Sequence, residues 1–184
     1  MIGIDEVGRG CWAGPLLVVA ARQIGDLPEG LADSKVLSKK RRAALVPDIA
    51  VTCELGEGWV EPAEIDQLGL TAAMRLAVKR ALAALDAQTD EPIIMDGNYN
   101  YCPPQYLGVA CIVDADAEHP IVSAASIYAK ERRDNYMVQV AEAYPGYGFE
   151  AHVGYGTKAH LAALQQLGVC AQHRRSFKPV AVFV

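Results

Sequence analysis

With 184 residues, 52% of them hydrophobic and 21% charged, the chain can bury a real core and has no low-complexity tract that would keep it disordered. No apolar run approaches the roughly 20 residues of a membrane helix, and Met1-Ile2-Gly3-Ile4-Asp5 lacks the basic-then-apolar start of a secretory signal, so a cytoplasmic location is expected. Five scattered cysteines with no C-x-x-C pair argue against a zinc cage and a disulfide framework, and read as small buried thiols.

The net charge of −5 gives no overall basic surface of the kind that phosphate binding normally shows, but its distribution is uneven. Counting Lys and Arg against Asp and Glu, residues 1–60 carry seven against eight, residues 61–120 three against ten, and residues 121–184 seven against four. The C-terminal third is the basic part, and a site built from carboxylates would add bound cations to the local balance.

Ile2-Gly3-Ile4 is a short apolar run ending in acids, and Pro15-Leu16-Leu17-Val18-Val19-Ala20-Ala21 is β-branched enough for a buried strand, so an N-terminal hairpin is predicted. Ser38-Lys39-Lys40-Arg41-Arg42 opens a modest helix. Residues 50–60 read as a strand, with Ala50, Thr52 and Glu54 alternating against Val51, Cys53 and Leu55. Over residues 61–84, Leu70, Ala73, Met74, Ala77, Val78, Ala81 and Leu82 recur at helical spacing and predict one long amphipathic helix.

Residues 92–97 and 108–113 read as two short buried strands, each ending in acids. Residues 120–143 read as one helix, opened by Pro120 and broken by Tyr144-Pro145-Gly146, and residues 157–167 as a shorter one closed by Gly168. The main order β-β-β-α-β-β-α-α, with no repeat and no linker, describes one α/β domain over residues 1–184, its helices packed on a mixed sheet.

Glycines follow the first strand in Asp5-Glu6-Val7-Gly8-Arg9-Gly10-Cys11-Trp12-Ala13-Gly14, as in a dinucleotide-binding turn. That reading fails: a strand rather than a helix comes next, two carboxylates would face the pyrophosphate, and the glycine spacing is wrong. Adjacent acids on a regular strand point to opposite faces, so a shared role for Asp5 and Glu6 requires the strand to end or bend, which Gly8 permits. Taken singly, each acid reads as a solvated strand-end residue. Taken together, Asp5, Glu6, Asp96 and the Asp114/Asp116 pair end several apolar strands and can converge, and crowded carboxylates call for a hard cation such as Mg²⁺ or Mn²⁺.

Gly3-Ile4-Asp5-Glu6-Val7-Gly8-Arg9-Gly10, Asp33-Ser34-Lys35, Met95-Asp96-Gly97, Ala124-Ala125-Ser126-Ile127 with Ala129-Lys130, Gly154-Tyr155-Gly156-Thr157-Lys158 and His173-Arg174-Arg175-Ser176-Phe177 resemble ribonuclease HII of bacteria and archaea in order and spacing. The resemblance spans residues 2 to about 180. It implies a ribonuclease H-like fold, a mixed central sheet flanked by helices with a short helical C-terminal region. It also implies two divalent ions, Mg²⁺ or Mn²⁺, held by Asp5, Glu6, Asp96 and Asp116, with cleavage leaving a 3′-hydroxyl and a 5′-phosphate.

By the same resemblance, the main chain of Gly8-Arg9-Gly10 reads the ribose 2′-hydroxyl and Tyr155 stacks on the next sugar; a side chain at Gly10 would either force the turn out of an αL-like conformation or stand between backbone and ribose. Lys35 ranks first among candidate phosphate contacts, ahead of Lys158, Arg174 and Arg175. His152, His160 and His173 show no metal-ligand spacing, and Asp134 is read as an exposed helical acid in preference to a support for the site. The implied partners are an RNA–DNA hybrid or a DNA duplex containing ribonucleotides, with no membrane; the chain is expected to be monomeric, and a clamp partner is left open.

Three features depart from the family pattern: Val153 stands where lysine is usual, Ala117-Glu118-His119 lacks a lysine, and the sequence ends at Val184 before a helical extension that many members carry. None touches the four acids. Two rivals are a junction resolvase of similar fold, which has no use for a 2′-hydroxyl reader, and a duplex-binding module without catalysis, which has no use for the acids.

Overall fold

The computed structural model describes residues 1–31 and 37–184. Lys35, with Asp33 and Ser34, lies outside the described residues. The strands are β1 (Ile2–Val7), β2 (Leu16–Gln23), β3 (Cys53–Val60), β4 (Ile93–Asp96) and β5 (Val109–Ile112). They form one sheet in the order β3-β2-β1-β4-β5, antiparallel from β1 through β3 and parallel from β1 through β5. The helices are α1 (Lys39–Thr52), α2 (Pro62–Leu68), α3 (Leu70–Ala84), α4 (Ala115–Glu118), α5 (Pro120–Ala143), α6 (Phe149–His152), α7 (Lys158–Leu167) and α8 (Lys178–Ala181). This is the expected mixed sheet flanked by helices, ending in short helices.

The continuous apolar run of β2 is explained by cover on both faces. Leu16, Val18 and Ala20 pack with α3, while Leu17, Val19 and Ala21 pack with α1 and α5. Close approach of α3 depends on β3 glycines: a Cβ on Gly58 would lie 1.9 Å from the Ala77 carbonyl oxygen, and one on Gly56 2.1 Å from that of Ala81. Among the described residues, no helix is long and apolar enough to cross a membrane.

Three element boundaries differ from expectation. Residues 50–52 complete α1, and β3 begins at Cys53, because β2 offers pairing partners only as far as Gln23, opposite Cys53. A strand without a ladder partner leaves its backbone groups unpaired, whereas the helix satisfies them. The helical periodicity of 61–84 is real, yet Gly69, at φ +75°, breaks it into α2 and α3. Glycine supplies that left-handed conformation without a Cβ clash. Finally, β5 is a half-exposed edge strand rather than a buried one.

Candidate active site

β1 and β4 are parallel neighbours with Ile4 level with Met95, so the next residues, Asp5 and Asp96, reach the same end of the sheet. β1 runs through both acids to Val7, and the chain turns at Gly8, whose φ is +82°. The Glu6 N–H donates to Asp5 Oδ1 at 2.7 Å. Asp5, Glu6 and Asp96 then line one cleft of about 220 Å³, together with Gly8, Arg9, Gly10, Ser126, Lys130 and Tyr155.

Burial pushes the Asp5 carboxyl up to about 7; a hydrogen bond from Ser126 opposes this, and the negative charges of Glu6 and Asp96 add to it. A divalent cation relieves this kind of crowding, and an oxygen-only donor set suits Mg²⁺ or Mn²⁺. Among the described residues, no three His, Cys, Asp or Glu side chains already stand in metal-holding geometry.

Asp96 Oδ1 accepts from the Ala115 N–H at 2.8 Å, tying β4 to α4. Asp116 lies on α4, 3% exposed, and is outside the cleft lining. Its expected place at a strand end is not observed: β5 stops at Ile112, Asp114 adopts φ +56°, and Asp116 is in the first turn of a helix. A left-handed residue cannot extend a β ladder, so the chain leaves the sheet before reaching either acid.

In the Gly8-Arg9-Gly10 turn the positive φ belongs to Gly8, where a Cβ would meet Arg133 Nε at 2.2 Å. Gly10 has no positive φ and nothing within 4 Å of a Cβ, so of the two alternatives for Gly10 the αL-like conformation does not hold. Tyr155 is 40% exposed on the cleft, with Lys130 Nζ 5.6 Å from its ring centroid.

A model of the Ribonuclease HII family matches residues 2–180. The chain belongs to that family. Ribonuclease HII of Ruegeria sp. is 45% identical over 97% of this chain and 77% of its own length, and that of Nitrosococcus oceani 46% identical over 99% and 90%. The ribonuclease HII solved in complex with PCNA from Archaeoglobus fulgidus superposes with a TM-score of 0.80 at 25% identity, over 96% of this chain and 94% of that one. As a member of this family, the chain is an endonuclease acting on the RNA of RNA–DNA hybrids.

Two buried arginines shape the cleft from behind. Arg174, 0% exposed, donates through Nη2 to the Gly8 carbonyl (2.7 Å), through Nη1 to that of Arg9 (2.9 Å) and through Nε to that of Gly14 (3.0 Å). It was a candidate phosphate contact by sequence; the structure instead spends its guanidinium on the turn that carries Gly8, while Arg175 and Lys158 remain exposed. Arg133, also 0% exposed, donates to the carbonyls of Pro15, Ala13 and Val153. The Val153 bond, 2.8 Å, holds a β-branched residue at φ +44°, a conformation that costs on the order of 1–3 kcal/mol.

Asp134 is buried at 7% exposure and accepts from Lys130 Nζ at 2.8 Å, so the exposed reading of it does not hold. Ser126, Lys130 and Asp134 recur every four residues on one face of α5, and Ser126 and Lys130 line the cleft. That spacing is visible in the sequence and is the signal that could have identified Ser126 and Lys130 as site residues. Arg133 had no such signal.

The three histidines are buried and packed together, and His160 and His173 are neutral rings. His160 Nδ1 donates to the Tyr155 carbonyl (2.9 Å), so its Nε2 accepts from His173 Nε2 (3.0 Å), and His173 Nδ1 accepts from the Cys170 N–H (2.9 Å). His152 stacks on His160 at 4.4 Å between centroids. This chain of bonds anchors the backbone of Tyr155 to the segment holding Arg174, and it works only while both rings carry one proton.

Burial holds His160 and His173 down at about 4, below an ordinary 6.5. The unfolded chain therefore takes up protons first, and the stability contributed by the pair is complete above about 6.5 and lost as pH falls toward 4, at about 1.4 kcal/mol per pH unit for each proton. Urea midpoints at pH 7 and 5 in an Asp5→Asn background, which removes the opposing slope of that raised carboxyl, are expected to fall with pH, and less so after His173→Gln. Equal pH dependence in both proteins would show that the pair does not control it.

Proposed function

We propose that this chain cuts on the 5′ side of a ribonucleotide, both within the RNA strand of hybrids and at single ribonucleotides embedded in duplex DNA, leaving a 3′-hydroxyl and a 5′-phosphate. The observation carrying this reading is one cleft that joins three carboxylates to the Gly8-Arg9-Gly10 main chain and an exposed tyrosine ring. Asp5, Glu6 and Asp96, with Asp116 from α4, would hold two Mg²⁺ or Mn²⁺ ions. When bound, these ions supply activation of water and stabilisation of the leaving oxygen.

The protein's own share is positioning. Arg174, bonded to the Gly8 and Arg9 carbonyls, with Arg133 packed against Gly8, fixes the turn so that its main-chain groups meet the 2′-hydroxyl, the feature that separates RNA from DNA. Tyr155, anchored through its carbonyl, offers its ring to the following sugar, and Lys35 to a phosphate. We assign the protein to ribonucleotide excision and RNA-primer removal, acting as a monomer, with residues 1–184 as one catalytic domain.

The test is incubation with a DNA duplex containing one ribonucleotide, with and without divalent metal. Metal-dependent nicking 5′ to the ribonucleotide is expected, with none when that sugar is deoxyribose or 2′-O-methyl ribose. Efficient cutting of the deoxyribose duplex or an all-DNA junction favours a resolvase instead. In the same assay Tyr155→Phe should keep most of the activity and Tyr155→Ala lose it, since stacking needs the ring; parent-like rates for both would leave Tyr155 with no role in positioning.

A further inference from the structure

A second basic surface runs out of the cleft. Arg9 reaches from the Gly8-Arg9-Gly10 turn to Tyr101, donating from Nη2 to its hydroxyl at 3.1 Å with the guanidinium carbon 5.7 Å from the ring centroid. Tyr101 packs against Tyr99 with centroids 4.6 Å apart. Arg75 of α3 donates to the Tyr99 hydroxyl and lies 5.5 Å from that ring's centroid. The ladder Arg9-Tyr101-Tyr99-Arg75 ends in a groove of about 230 Å³ lined by Arg75, Lys79, Tyr101 and Pro103.

The charge there runs against its surroundings. Residues 61–120 contain only three cations, Arg75, Lys79 and Arg80, against ten acids. Arg80 is held by Glu64 at 2.7 Å. Arg75 and Lys79, one turn apart and exposed on α3, both line the groove, and neither takes part in an ion pair among the described residues. A guanidinium resting on an aromatic face keeps its full charge for an external anion, unlike one already neutralised by a carboxylate.

We infer that the Arg75–Lys79 groove is a second nucleic-acid contact, which binds backbone phosphates of the duplex away from the scissile step. Charge complementarity selects a polyanion, and continuity with the cleft through Arg9 selects the same polyanion that enters the cleft. The ladder's spacings, 5.7, 4.6 and 5.5 Å, carry the surface a few nucleotides along a strand that advances roughly 3.4 Å per phosphate. The inference rests on a duplex substrate, not on where or whether that duplex is cut.

The test is equilibrium binding of an all-DNA duplex to the full chain without metal, over KCl from about 50 to 200 mM. Two probes are used, a long duplex and a short hairpin that fills only the cleft. Arg75→Gln/Lys79→Gln, both on the exposed face, should lower the slope of log Kd against log salt by about 1–2, since each phosphate contact contributes about 0.9. The long duplex should bind roughly 10-fold more weakly at low salt, while the hairpin binds as it does to the parent. An unchanged slope and affinity on the long duplex overturn the inference, and so does an equal loss on both probes, which would mean the pair acts through Arg9 and the cleft. Melting temperature checks the fold. Because no cleavage is read, a failure of the ribonucleotide-cutting reading would leave this result standing.

Discussion

Asp5→Asn, Glu6→Gln and Asp96→Asn are each expected to lower cleavage of a duplex carrying one ribonucleotide by about 10²–10³-fold or more, because metal stabilisation is worth several kcal/mol and each 1.36 kcal/mol is a factor of ten. These three share one cleft, so removing any of them weakens the same ion-binding surface. Asp116→Asn should behave alike. A near-normal rate for it, with Asp114→Asn inactive, would move the fourth ligand to the exposed residue at the start of α4.

Stability should change in the other direction. With the Asp5 carboxyl raised to about 7 in the folded protein, the unfolded chain ionises it first. Its contribution is present below the ordinary value of 3.8 and is lost as pH rises through about 7. Metal-free Asp5→Asn should therefore melt above the parent at pH 8, with a smaller gain at pH 5. A lower melting temperature at pH 8 would show that the carboxylate is satisfied in its site.

Arg174→Met is the other change expected to have a large effect. The guanidinium serves the carbonyls of Gly8, Arg9 and Gly14 at no exposure, and methionine fills much of the volume but leaves the Arg9 and Gly14 carbonyls without that donor and Gly8 with only the Cys11 N–H. A loss of about 3–5 kcal/mol in unfolding free energy is expected. Arg174→Lys keeps a charge without the planar fork, so it should recover part of the stability while leaving the turn misplaced.

Cleavage by Arg174→Lys, measured below its melting temperature, should still fall, since misplacing a positioning group by about 1 Å can cost 10²-fold. Parent-like cleavage by a stably folded Arg174→Lys would show that the turn does not depend on the fork. Gly10→Ala offers the contrasting case. Its Cβ points into open space, so the fold should be unaffected and any loss of activity would report contact with substrate alone.

The sequence by itself determined the family through its ordered motifs, the strands β1, β2 and β4 through their apolar runs, and α5 and α7 through their proline, glycine and periodic signals. Those features are local: a few adjacent residues specify a dihedral preference or a buried face. Tertiary structure decided where β3 starts, because a strand ends where its neighbour stops offering partners. It also decided the fate of the charged residues. Arg174 looks like a phosphate contact until Gly8, 166 residues away, takes its hydrogen bond, and Asp134 looks solvated until the fold buries it beside Lys130. Whether a charge is buried depends on groups that only the folded chain brings together, and no local pattern encodes that.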